Sequence, residues 1–150
     1  MSQIEVIDYS PSHVDEIMST WPRTRELRYS KMPQWGNWKE IWRAPGTSFT
    51  LMIDSKPVGC AGVVMLNSEL GEAWAVLGNV ITQYKKSAFW ALKKGLNKII
   101  QESHLKVVQS FVELDFEEAE HILYHLGFVK GEIDSFGPDG ELMIRFWRKC

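Results

Sequence analysis

Ala119-Glu120-His121-Ile122-Leu123-Tyr124-His125-Leu126-Gly127-Phe128 reads as the last turns of a helix that stops at a glycine and runs directly into a strand. Gly127 stands where a left-handed residue ends a helix without a Cβ clash, and Phe128 leads into the next strand. Upstream, Asp115 is placed to cap this helix, with Glu117 and Glu118 in its first turn, where the positive end of the helix dipole favours acidic side chains. Before it, residues 106–114 read as a strand, with the branched Val107 and Val108 at its start and Phe111 near its end. After it, two strands are predicted, joined by the turn Gly137-Pro138-Asp139-Gly140, the second running from Leu142 to Trp147.

Working back toward the start, residues 83–102 predict the longest helix. Ala88, Leu92, Leu96, Ile99 and Ile100 lie on one face, while Lys85, Lys86, Lys93, Lys94 and Lys98 keep to the others. Residues 72–77 predict a strand, and Gly78-Asn79 after it is a place where strands splay. Residues 58–66 read as a long buried strand. It is preceded by the turn Asp54-Ser55-Lys56-Pro57 and by the alternating Phe49, Leu51 and Ile53. Two helical pieces, 23–32 and 34–43, are separated by Pro33 and closed by Pro45-Gly46. Ser10 and Pro11 predict a helix start, with Val14, Ile17, Met18 and Trp21 on its core face, after a short strand-like opening at Ile4, Val6 and Tyr9. The order is strand, helix, helix, three strands, helix, strand, helix, two strands: an α/β class with a mixed, mostly antiparallel sheet flanked by helices. Each helical crossover, after Leu77 and after Leu114, is expected to join neighbouring parallel strands.

At 150 residues the chain has the length of a single domain, 1–150. Hydrophobic residues make up 45% and charged residues 24%, the balance of a globular protein, and the net charge of -2 offers no positive field for nucleic acid or an anionic membrane. The apolar run around residues 60–66 is far short of the ~20 residues of a membrane-spanning helix, and the opening residues lack a basic and then apolar leader. The expected location is the cytoplasm. Two cysteines, Cys60 and Cys150, make neither a disulfide framework nor a metal-ligand spacing, and two buried or idle thiols are expected.

The element order and the stretch from Ala119 to Leu126-Gly127-Phe128 resemble the GCN5-related N-acetyltransferase (GNAT) fold over nearly the whole chain, the Ala standing eight residues before Gly127. That family's cofactor motif opens the long helix as Arg or Gln, two residues, Gly, one residue, Gly or Ala. Gln83-Tyr84-Lys85-Lys86-Ser87-Ala88 matches it at Gln83 and Ala88, while Lys86 replaces a glycine. The resemblance implies acetyl-CoA as cofactor, lying near Val76, Gly78 and Val80 with its pyrophosphate at Gln83, Lys85, Lys86, Ser87 and Ala88. Glycine suits that motif because backbone N–H groups must approach phosphate closely; Lys85, Lys86 and the Ser87 hydroxyl offer charge and side-chain donors in its place.

The resemblance also implies acyl transfer to an amine, with Glu72 or Glu113 as general base and a tyrosine of the last crossover helix as general acid. Tyr124 is the tyrosine of that helix. Leu123 occupies the family's usual position, and a shift of one residue turns a helical side chain by about 100°. His121 and His125 are spaced i, i+4, but no third ligand is evident, so a surface pair rather than a metal site is expected. A narrower likeness is to small phage proteins of acetyltransferase-like fold, including internal virion proteins. It rests on Glu72-Ala73-Trp74-Ala75-Val76-Leu77, the lysine-rich helix, and Leu126-Gly127-Phe128 followed by Asp139-Gly140-Glu141-Leu142. It implies a scaffold that can persist without chemistry, in host cytoplasm or virion. Trp35, Trp38 and Trp42 share one helix face, which reads as core, as the wall of a substrate pocket or, where exposed, as a protein-binding patch.

Overall fold

Ser10 has extended backbone (φ −136°, ψ 144°) and Pro11 follows at the first helical position, so the chain enters α1 (Pro11–Met18) where the sequence predicts. The computed structural model describes residues 4–30, 34–137 and 140–150; Pro33, Pro138 and Asp139, read above as turn or interrupting residues, lie outside them. Before α1 runs β1 (Glu5–Ile7). After it come α2 (Arg23–Ser30), α3 (Trp35–Ile41), β2 (Ser48–Ile53), β3 (Lys56–Met65), β4 (Leu70–Leu77), a 3-10 turn over Asn79–Tyr84 and α4 (Lys85–Ser103). β5 (Val107–Glu113), α5 (Glu117–His125), β6 (Val129–Asp134) and β7 (Met143–Lys149) complete the order. The strands form one sheet in the order β1-β2-β3-β4-β5-β7-β6, with β4 and β5 parallel and the pairs β1–β2, β2–β3, β5–β7 and β6–β7 antiparallel. This is the mixed, mostly antiparallel α/β architecture expected.

Three local expectations are corrected. The crossover after Leu114 does not join neighbours, because the β6–β7 hairpin folds back and β7 takes the slot beside β5 with a ladder from Val107↔Lys149 to Glu113↔Met143. Asp115 does not cap α5: its backbone is left-handed (φ +63°), Phe116 occupies the cap position, and the helix starts at Glu117. The long helix begins at Lys85 rather than at residue 83, since Gln83 and Tyr84 belong to the 3-10 turn. Cys150 is exposed, whereas Cys60 is buried, its thiol pushed up to about 12 by desolvation.

The chain divides into two compact units, Met1–Val64 with Ala75–Ile99, and Met65–Trp74 with Ile100–Cys150. In the first, Phe49, Leu51 and Ile53 are buried as their alternation predicts, and so is Thr50. The Thr50 hydroxyl lies 2.8 Å from His13 Nδ1 on α1, which also accepts the Ser10 N–H at 3.1 Å. Phe49 packs against Gly95 of α4, where an added Cβ would run into the ring. Successive strand residues face opposite ways, so α1 and α4 cover opposite faces of β2. Ala88, Leu92, Leu96 and Ile99 line α4's buried face. Trp35 is 6% exposed, with Trp42 and Trp38 set edge-on to it at 5.8 and 6.3 Å and half-buried. In the second unit, Val108, Val112, Ile144 and Phe146 of β5 and β7 are buried, as are Leu123, Leu126 and Phe128 around the left-handed Gly127 (φ +93°). Arg148 donates from Nη1 to the Leu126 carbonyl at 3.1 Å, tying β7 to the end of α5. Among the described residues no helix is long and apolar enough to cross a membrane.

Candidate functional site

In the first unit, the end of β4 is held by three hydrogen bonds. Trp21 Nε1 donates to the Leu77 carbonyl at 2.8 Å, Gly78 N–H to the Val58 carbonyl at 2.8 Å, and Asn79 Nδ2 to the Thr20 carbonyl at 3.1 Å. A Cβ on Gly78 would stand 3.1 Å from the Val58 oxygen and 3.4 Å from Ile17 Cγ2, so the close passage of the chain favours glycine here. Val76 and Gly78 are buried and Val80 is at the surface. The 3-10 turn carries the exposed Gln83, and the first turn of α4 carries exposed Lys85, Lys86 and Ser87 before the buried Ala88. The six residues of the predicted motif therefore straddle two helical elements, with two ammonium groups and a hydroxyl in solvent at the positive end of a 19-residue helix. Trp21, which the sequence reading placed only in the core, is also the anchor of this corner. Its one polar atom gave no signal of a partner 56 residues away.

In the second unit, β4 pairs with β5 through Leu70↔Val107, Gly71↔Val108 and Glu72↔Gln109. Past this the Ala73 carbonyl accepts the Ser110 side-chain hydroxyl at 3.0 Å, while β4 continues to Leu77 and β5 to Glu113. Glu72 is half-buried and accepts Gln109 Nε2 at 3.1 Å. Burial raises its pKa above the ordinary 4.5, against the opposing pull of the Gln109 hydrogen bond and of the Arg145 charge.

Arg145 is held on the same strand face as Gln109, since β7 places Trp147 opposite Gln109 and Arg145 opposite Phe111. Its guanidinium lies 4.4 Å from the Trp147 ring, 5.1 Å from Phe136 and 5.7 Å from Phe111, and Nη1 bonds Glu132 at 2.7 Å. Arg145 Nε is buried with no hydrogen-bond partner. The sequence reading missed Gln109 and Arg145. The alternation of Gln109, Phe111 and Glu113 was visible, but the register that sets Glu72 beside Gln109 was not.

Glu113 sits half-buried at the end of β5. Tyr124 is 70% exposed on α5, its ring 5.4 Å from that of His125, while Leu123 is turned into the core. The structure thus brings Glu72 together with Gln109, and Lys85, Lys86 and Ser87 with one another. Tyr124 stands beside His125.

No protein-family model and no curated protein matches the chain by sequence. Solved structures match over almost its full length. Ard1 from Thermoplasma volcanium superposes with a TM-score of 0.75 at 14% identity, covering 97% of each chain. An acetyltransferase of the GNAT family from Streptococcus pneumoniae gives 0.68 at 12% identity, covering 98% of this chain and 99% of that one. AAC(6')-Ib in complex with ribostamycin and coenzyme A gives 0.67 at 10%, covering 98% and 93%. At these low identities the likeness is one of fold, and the chain has the fold of the GCN5-related N-acetyltransferases.

Proposed function

We propose that the chain is an acyl-CoA-dependent N-acetyltransferase. The observation that carries this reading is Glu72, a half-buried carboxyl whose pKa is displaced upward and whose orientation is set by Gln109. A carboxylate so placed accepts a proton better than an exposed one, and its side chain does not have to be ordered first. Acetyl-CoA, when bound, supplies the thioester carbon that an acceptor amine attacks. The solved neighbour that holds coenzyme A supports this cofactor class. The first turn of α4 fits phosphate, since Lys85, Lys86 and Ser87 are all exposed there, and Lys86 reaches out with charge where the family uses a bare backbone. Gln83 and Ala88 complete the motif, and Val76, Gly78 and Val80 form the approach to it.

Glu72 takes the proton from the acceptor nitrogen, directly or through one water. Glu113 is the second candidate base. Tyr124 is the hydroxyl that α5 offers to a departing thiolate, and an unchanged rate in Tyr124→Phe would remove it. The alternative is a non-catalytic phage virion or host-interaction protein built on the same scaffold, with Trp35, Trp38 and Trp42 as its contact face; its support is the lysine at position 86. Calorimetric titration with acetyl-CoA and coenzyme A separates the two. The acetyltransferase reading expects a Kd in the micromolar range (about −8 kcal/mol), weakened about tenfold or more in Lys86→Glu and retained in Lys86→Gly. No binding up to about 1 mM would overturn it in favour of the scaffold reading.

A further inference from the structure

His121 and His125 stand one helical turn apart on the exposed face of α5, with their Nε2 atoms 3.1 Å from each other and ring centroids at 4.3 Å. Two imidazole nitrogens bound at about 2.05 Å to one ion are about 2.9 Å apart at a right angle and about 3.3 Å apart at a tetrahedral one. The observed spacing falls between those limits, so the two nitrogens already stand at the separation that one shared ion requires. Tyr124 packs its ring on His125 at 5.4 Å, which limits the rotamers of that imidazole. Glu117 and Glu118, exposed about one turn upstream of His121, add negative charge to the same helix.

We propose that His121 and His125 form a two-imidazole clamp for a first-row divalent transition-metal ion. This site is separate from the acetyl-transfer reading and does not depend on it. Without metal, one Nε2–H donates to the other ring's Nε2 lone pair. On binding, the donor ring moves its proton from Nε2 to Nδ1, both Nε2 lone pairs face the ion, and no net proton is lost. Neutral imidazole favours Cu2+, then Ni2+ and Zn2+. Among the described residues no cluster of three or more His, Cys, Asp or Glu is gathered for a metal, so the remaining coordination positions face solvent and stay open to water or an incoming ligand.

The test is titration of untagged protein with CuCl2 and NiCl2, read by calorimetry and by electron paramagnetic resonance of the copper form. One Cu2+ per chain with two coupled nitrogens is expected. Both His121→Gln and His125→Gln should lower the affinity about tenfold or more, while His104→Gln leaves it unchanged. A ligand that bridges residues i and i+4 also holds α5 together, so Cu2+ should raise the Tm of the wild type and of His104→Gln but not of the two α5 variants. Absence of binding at about 1 mM Cu2+, or wild-type affinity in either α5 variant, would overturn the clamp. The Tm of the wild type keeps the test decisive should a variant fold poorly.

Discussion

Glu72 shows how far one residue's chemistry depends on its surroundings. As sequence it is one of 19 acidic residues; in the fold it is half-buried, hydrogen-bonded to Gln109 and influenced by Arg145. Because burial raises its pKa in the folded chain above the ordinary 4.5, the folded state holds more protons than the unfolded one once pH passes that value, and stability falls as pH rises to the raised value. Glu72→Gln cannot ionise and escapes this loss. The melting temperature of the variant relative to wild type should therefore climb as pH rises above the ordinary 4.5, and a difference that stays flat with pH would contradict the placement. If Glu72 is the base, the same variant should lose acetyl transfer by about 100-fold or more while binding acetyl-CoA as before. His121 and His125 teach a related lesson. Their i, i+4 spacing was legible, but the 3.1 Å approach of their Nε2 atoms depends on rotamers that spacing does not specify.

At the scale of the element, α4 was the most legible part of the chain, because a five-residue apolar face repeated at helical spacing can be buried in only one way. Its start was less so. A 3-10 turn and an α-helix share their local residues, and hydrogen bonds to Thr20, Val58 and Leu77 fix the corner at residues 77–79 from which the 3-10 turn departs. Asp115 fails as a cap for a similar reason, since its left-handed backbone turns the chain out of β5 before the helix begins. Gly95, in the middle of α4, is the position where helix propensity and packing disagree. Alanine would gain about 1 kcal/mol of propensity, yet its Cβ would meet the Phe49 ring, and overpacking costs about 1–3 kcal/mol. Gly95→Ala should lower the melting temperature, and Phe49→Leu should recover part of the loss. A double-mutant cycle should give a coupling of about 1 kcal/mol, and additive effects would show that the ring does not press on this glycine.

For the whole molecule, the proposed cofactor supplies a linkage that needs no assay of turnover. Acetyl-CoA at 100 times its Kd should stabilise the folded chain by about 2.7 kcal/mol, a rise of about 5–10 °C in melting temperature for a chain of this size, and Lys86→Glu should show a smaller shift at the same concentration. An unchanged melting temperature would leave the fold without its cofactor. The sequence by itself determined the class and nearly all of the elements. Periodicity, Gly127 after α5 and the Ser10-Pro11 start are local properties, set by backbone sterics and by which side chains avoid water. Only the tertiary structure decided that β7 lies between β5 and β6, that Glu72 meets Gln109, and that Trp21 anchors the end of β4. Those pairings join residues 37 or 56 positions apart, or depend on strand register. Register is settled by the sum of hydrogen bonds and buried surface across the sheet, which no short stretch of the chain contains.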